Sequence, residues 1–221
     1  MQHYSAALDL SGDEAGFAVS EPNSGKIIIE QFRPMTGRSS AILAPWIIEL
    51  LNNHNLTLAN ISEWTVGSGP GSFTGMRLAA AMVEGFTLGH AVKSRCVPSA
   101  IALAAYSKLG ETTAVIFDGR NRELLLFAVE YSSTGELKKQ GTEIVFNAEN
   151  AIEIFTQNHY NNITALQKDA GAIEKIIPEN ILPQLNYQAH IPVSELLCAH
   201  DNNWNNDLTE LCYIRPAVFT N

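Results

Sequence analysis

The stretch that decides the fold is Thr65-Val66-Gly67-Ser68-Gly69-Pro70-Gly71-Ser72-Phe73-Thr74-Gly75-Met76-Arg77. The residues before it, Ile61 to Ser68, read as a strand, and those after it as a helix capped by Thr74 and running to His90. The glycines stand at the turn between them. No Gly-Lys-Ser/Thr follows, so this is not a Walker loop. Ser72 stands where a dinucleotide fingerprint needs its third glycine, and no ribose-binding acid is evident. Two readings stay open. Glycines ahead of a helix expose backbone N–H groups that suit a phosphate. They equally permit a tight turn that brings a helix close to its sheet.

The helix after the turn is short of charge. Ala81, Gly85 and Gly89 recur every four residues on one face, and Met76, Val83 and Phe86 lie on another. A helix apolar nearly all round is buried on both sides. It is either a central core helix or one whose second side meets another subunit. A further helix is expected over 40–53, where Ile42, Leu43, Trp46, Ile47, Leu50 and Leu51 make an apolar stripe. Pro45 fits it best if the first turn starts near Ala44. Two helices lacking a charged face exceed what a small core needs, which favours an interface.

Ahead of these helices, residues 4–10, 16–20 and 26–32 read as three strands joined by tight turns at Asp9-Leu10-Ser11-Gly12 and around Ser24-Gly25. A strand over 92–98 and a helix over 99–108, capped by Ser99, close the first half. Strands over 113–118, 124–131 and 142–146 and a helix over 148–158 then repeat the order strand, strand, strand, helix. Beyond Ile163 the signal weakens. The expectation is an α/β chain of two related lobes, 1–109 and 110–221, each with a mixed sheet and flanking helices.

The chain has 221 residues, with 14 basic against 23 acidic side chains and only 17% charged residues. No apolar run reaches the ~18 residues a membrane span needs. The N-terminus lacks the basic and apolar segments of a secretory leader. Cys96, Cys198 and Cys212 are odd in number and widely spaced, as in a reduced, cytoplasmic protein. A net charge of −9 without a basic patch argues against tight binding of nucleic acid by this chain alone.

Candidate chemistry is sparse. Asp9 and Asp118 end the first strand of each half. They are either turn-forming residues or a pair of acids at the tips of two lobes, as the actin, Hsp70 and sugar-kinase superfamily uses around ATP. No two of the six histidines stand at i, i+3 or i, i+4, so no metal site is expected. Ser72 lacks the flanks of a nucleophile elbow.

The quoted stretch resembles the signature of the TsaB (YeaZ) family, which reads close to V-G-x-G-P-G-S-F-T-G-x-R. Other segments agree in order. Ala7-Leu8-Asp9-Leu10-Ser11 resembles the family's A-L-D-T-S, Leu43-Ala44-Pro45 with Glu49-Leu50-Leu51 its first helix, and Pro98-Ser99 a helix start. Asp118-Gly119-Arg120 with Glu123, and Tyr213-Ile214-Arg215, resemble later family segments. The resemblance implies the two-lobed actin-like (ASKHA, ribonuclease H-like) fold. It implies a non-catalytic subunit that binds and activates TsaD, joined by TsaE, in threonylcarbamoyladenosine modification of tRNA beside the anticodon. The helix faces around Leu43, Ile47, Leu50, Arg77, Ala81, Met82 and Gly85 would contact TsaD. ATP and metal would sit on the partner subunits, with none tightly bound here, and tRNA would be met only through the complex. An isolated chain would pair with its own copy through the same helices.

Within this resemblance the turn Gly69, Pro70, Gly71, Ser72, Thr74 and Gly75 is a marked site, and Asp9, Ser11 and Asp118 lie near any nucleotide. Departures weaken a nucleotide role: Leu10 replaces a threonine, Gly37 to Ser40 lack the customary histidine, and Arg122 and Leu125 replace Gly and Tyr. The rival reading is a stand-alone actin-fold ATPase or kinase using Asp9 and Asp118.

Overall fold

The structure is a computed structural model and describes residues 3–22, 24–35, 40–199, 204–205 and 207–211. The first lobe holds strands β1 (Tyr4–Asp9), β2 (Glu14–Ser20), β3 (Ile27–Pro34), β4 (Ile61–Gly67) and β5 (Lys93–Val97). Its helices are α1 (Ser40–Asn53), α2 (Phe73–Thr87) and the short α3 (Ser99–Leu103). The second lobe holds β6 (Thr112–Asp118), β7 (Leu124–Tyr131), β8 (Leu137–Phe146), β9 (Asn162–Leu166) and β10 (Leu185–Gln188), with α4 (Ala151–Gln157) and α5 (Ala170–Ile173). A last helix, α6 (Val193–Leu197), follows.

The two sheets share one topology. The first is ordered β3-β2-β1-β4-β5, and the second, from its other edge, β8-β7-β6-β9-β10. In each, the first three strands are antiparallel and the last two run parallel to the central one. The reason is local. Short turns allow only antiparallel neighbours, whereas β4 and β9 return after helices and so pair in parallel. Repetition of this order in both lobes defines the actin-like, ribonuclease H-like architecture.

Each sheet is buried on both faces. On one face of the first sheet, Leu43, Ile47 and Leu51 of α1 and Ala79 and Val83 of α2 pack with Leu8, Phe17, Trp64 and Val66. The other face, with Ala7 and Ala18, joins α3, α6 and the inner face of the second sheet through Phe117 and Phe127 in one continuous core. The outer face of the second sheet is covered by α4 and α5.

Several expectations change. Residue 109 separates the sheets, but the chain does not stay in the second lobe, because Ile191, Val193 and Leu196 return to the core between them. The helix after Pro98 ends at Leu103, not Lys108, and its Ser99 is not the cap residue. α1 begins at Ser40, so Pro45 lies in its second turn. It is tolerated because the Ala41 carbonyl that it leaves without a helical donor lies on the solvent side, Ala41 and Pro45 both being exposed. α2 is capped by Ser72, whose Oγ accepts from the Gly75 N–H at 3.1 Å, and not by Thr74. The resembling Tyr213-Ile214-Arg215 lies outside the described residues.

Candidate functional site

The glycine turn is a strut between strands. Asp9, 1% exposed, ends β1 beneath it. Its Oδ1 accepts from both the backbone N–H and the hydroxyl of Ser11, each at 2.7 Å, and its Oδ2 accepts from the Ser99 hydroxyl. Each serine has one hydroxyl hydrogen, and both are directed at this carboxylate. The Ser99 oxygen then accepts from Gly69 N–H at 3.1 Å, while Ser99 N–H donates to the Gly69 carbonyl at 2.7 Å. Ser68 N–H donates to the Val97 carbonyl, and Ser72 N–H to the Ser11 carbonyl, both at 2.8 Å. The Gly69–Pro70 peptide within the turn is cis.

Three glycines are needed for this closeness. A Cβ on Gly67 would overlap the Asp9 carboxylate, one on Gly71 the Ser11 carbonyl, and one on Gly75 the Leu10 carbonyl. The N–H groups of Ser68, Gly69 and Ser72 are bonded within the chain.

A small pocket lies beside Asp9. It is lined by Asp9, Asp13, Glu14, Phe32 and His190 among others, with a cavity volume of about 10 Å³. That is room for about one water. His190 pairs with Glu14 and stacks on Phe32 with ring centroids 4.4 Å apart. Asp118 is not among the lining residues; it is exposed, and its Oδ1 accepts from Arg120 N–H at 2.8 Å. Among the described residues, no three His, Cys, Asp or Glu side chains gather as metal donors.

The helices present a different kind of surface. Leu43 and Ile47, expected to face a partner, are fully buried in the first lobe's core, and Leu50 and Met82 are partly buried against it. They face the sheet because the i, i+4 spacing that made the stripe legible is the lobe's own core contact. The outward face of α1 instead carries Ala41, Ile42, Pro45 and Ile48, with both isoleucines 42% exposed. On α2 the outward face carries Arg77, Ala81, Glu84 and Gly85, and nothing stands within 4 Å of a Cβ built on Gly85. Leu88 follows, largely exposed. Both helices pack on one face of the first sheet, so their outward faces point away from the molecule together.

Sequence reasoning missed two residues. Ser99 was read as a cap, but its hydroxyl holds Asp9 and Gly69. Arg95, 3% exposed, donates from Nε to Thr65 Oγ1 at 3.1 Å and from Nη1 to the Ala199 carbonyl at 2.9 Å. Its Nη2 reaches the Leu196 carbonyl at 3.3 Å, so the guanidinium holds the C-terminal end of α6. An arginine amid the alternating pattern of a strand was the available signal.

Two such lobes define an actin-like fold. The family described as TsaD, tRNA N6-adenosine threonylcarbamoyltransferase, matches residues 35–197, across both lobes. The chain belongs to this family. An uncharacterized protein of Mycobacterium tuberculosis is 37% identical over 87 residues, 37% of this chain and 38% of that protein. The tRNA threonylcarbamoyladenosine biosynthesis protein TsaB of Escherichia coli is 27% identical over 110 residues, 48% of each chain. The chain thus spans about half the length of that relative, and less of the mycobacterial one. The solved structure of YeaZ from Pseudomonas aeruginosa superposes with a TM-score of 0.68 at 21% identity, covering 88% of this chain and 89% of that one.

Proposed function

We propose that the chain acts in tRNA threonylcarbamoyladenosine biosynthesis as a non-catalytic subunit that binds and activates TsaD, with TsaE joining the pair. The observation that carries the reading is the outward face of α1 and α2. It exposes Ile42, Pro45 and Ile48 beside Ala81 and Gly85. Small residues let a partner helix approach closely, and isoleucines contribute apolar area of roughly 25 cal/mol per Å² before entropy costs. The Asp9 network supports the absence of a catalytic role, since each oxygen of its carboxylate already accepts a hydrogen bond within the chain. ATP and metal belong on the partner subunits in this reading, and the tRNA is gripped through the complex.

The test is reconstitution with TsaD, TsaE and tRNA, assayed for the modified nucleoside. Modification is expected only when the chain and TsaD are both present. Gly85→Trp is expected to abolish co-purification with TsaD at an unchanged melting midpoint, because the site has open space for the ring but a partner helix does not. Normal pairing of that variant overturns the docking assignment, and modification by this chain without TsaD overturns the subunit role. Self-pairing of the isolated chain through the same face is the competing occupant. It is expected to disappear in the same variant and when TsaD is added.

A further inference from the structure

The first sheet ends at β5, and no further strand lies beside it among the described residues. An open edge of this kind invites pairing with another chain unless something covers it. Arg95 and Cys96 are successive β5 residues and so point to opposite faces. Arg95 lies with Thr65 on the α6 face, and Cys96 packs on the α1 and α2 face. The Trp204 ring lies over the Arg95 guanidinium, 4.4 Å from its centroid. Leu208, 3% exposed, is buried in the core that α1 and α2 form on the other face. Trp204 and Leu208, four positions apart, therefore stand on opposite sides of the sheet, and β5 is the edge nearest Trp204. The Asp207 carboxylate, which accepts from Thr209 N–H at 2.8 Å, shapes the turn that aims Leu208 inward.

We propose that residues 204–205 and 207–211 belong to a strap at the β5 edge, pinned by Arg95 on one face and by Leu208 on the other, that couples α6 to the helices of the docking face. The coupling half rests on the docking reading of α1 and α2; the strap itself does not. Arg95 is its positioning residue. The same guanidinium holds the Thr65 hydroxyl, the Ala199 and Leu196 carbonyls and the Trp204 ring, so freeing the strap also loosens the end of α6. α6 packs between the two sheets, which gives the second lobe a mechanical path to α2.

The experiment is hydrogen–deuterium exchange, read by peptide, on the full chain and on Trp204→Ala, Leu208→Ala and Arg95→Lys. Trp204 is partly exposed and its loss removes no core volume, so that variant folds where Leu208→Ala or Arg95→Lys does not. Exchange in β5 and in α6 is expected to rise about tenfold or more in Trp204→Ala, and in α2 as well in Leu208→Ala. Arg95→Lys is expected to behave like Trp204→Ala, because an ammonium cannot reproduce the fork and the stacking together. Exchange within about twofold of the parent in all three regions overturns the strap. TsaD affinity, measured on the same proteins, is expected to fall at least about threefold wherever α2 exchange rises. Faster α2 exchange with unchanged affinity overturns the coupling. A parent chain that fails to bind TsaD overturns the docking reading alone, with the exchange arm still deciding the strap.

Discussion

Ser99 shows what one hydroxyl does in this molecule. It donates to Asp9, accepts from Gly69 N–H and sits 3.2 Å from the Ser11 hydroxyl, all out of contact with water. Removing it leaves a buried carboxylate oxygen and a buried N–H short of a partner. Ser99→Ala is expected to cost about 1–3 kcal/mol of unfolding free energy, read by urea denaturation. A loss below about 0.5 kcal/mol contradicts the network as drawn. Gly67 obeys a stricter rule at the same place, because any Cβ there overlaps the Asp9 carboxylate. The family signature was legible at these positions, but what it does was not. Asp9, Ser11, Gly69 and Ser99 meet only once β1, β4 and α3 are side by side, and a linear pattern carries no such distances.

α6 is a short helix with a large positional role, and its seat contains a charge conflict. Glu30 of β3 accepts from Ser194 N–H at 3.0 Å, and Glu195 lies close enough to feel that carboxylate. Burial first, and Glu30 second, raise the pKa of the Glu195 carboxyl. A carboxyl raised in this way holds its proton more tightly in the folded chain than in the unfolded one. Its contribution to stability is most favourable below the ordinary carboxylate range and becomes less favourable as the pH rises through its folded value. Glu195→Gln is therefore expected to raise the melting midpoint at pH 7.5 by no more than about 2 °C, since the site is half-exposed, and to leave it unchanged at pH 4. An equal shift at both values contradicts the assignment. At this scale α1 and α2 were readable from apolar spacing, with α1 placed at its observed bounds of Ser40–Asn53. The short helix α6 was not, because five residues give too little periodicity to register.

At the scale of the whole molecule, the acidity is uneven. Of the 23 acidic residues, 15 lie beyond residue 109, so the lobe that carries α1 and α2 is close to neutral. Association through that lobe is expected to be apolar in character, with TsaD affinity changing less than about threefold between 0.1 and 0.5 M NaCl. A steep salt dependence points instead to a charged interface. The bonded Asp9 carboxylate leads to a second expectation. Calorimetry of the isolated chain with magnesium and ATP should show no saturable heat, and saturable binding contradicts the closed Asp9 network. The sequence by itself determined the repeated strand order, the two charge-poor helices and the family signature, because turns, periodicity and glycine spacing are local properties. Only the tertiary structure decided which helix faces look outward, how Ser11 and Ser99 hold Asp9, and that residues 204–205 and 207–211 return to the first sheet. Those outcomes depend on which surfaces bury one another across long stretches of chain, and no local pattern records that choice.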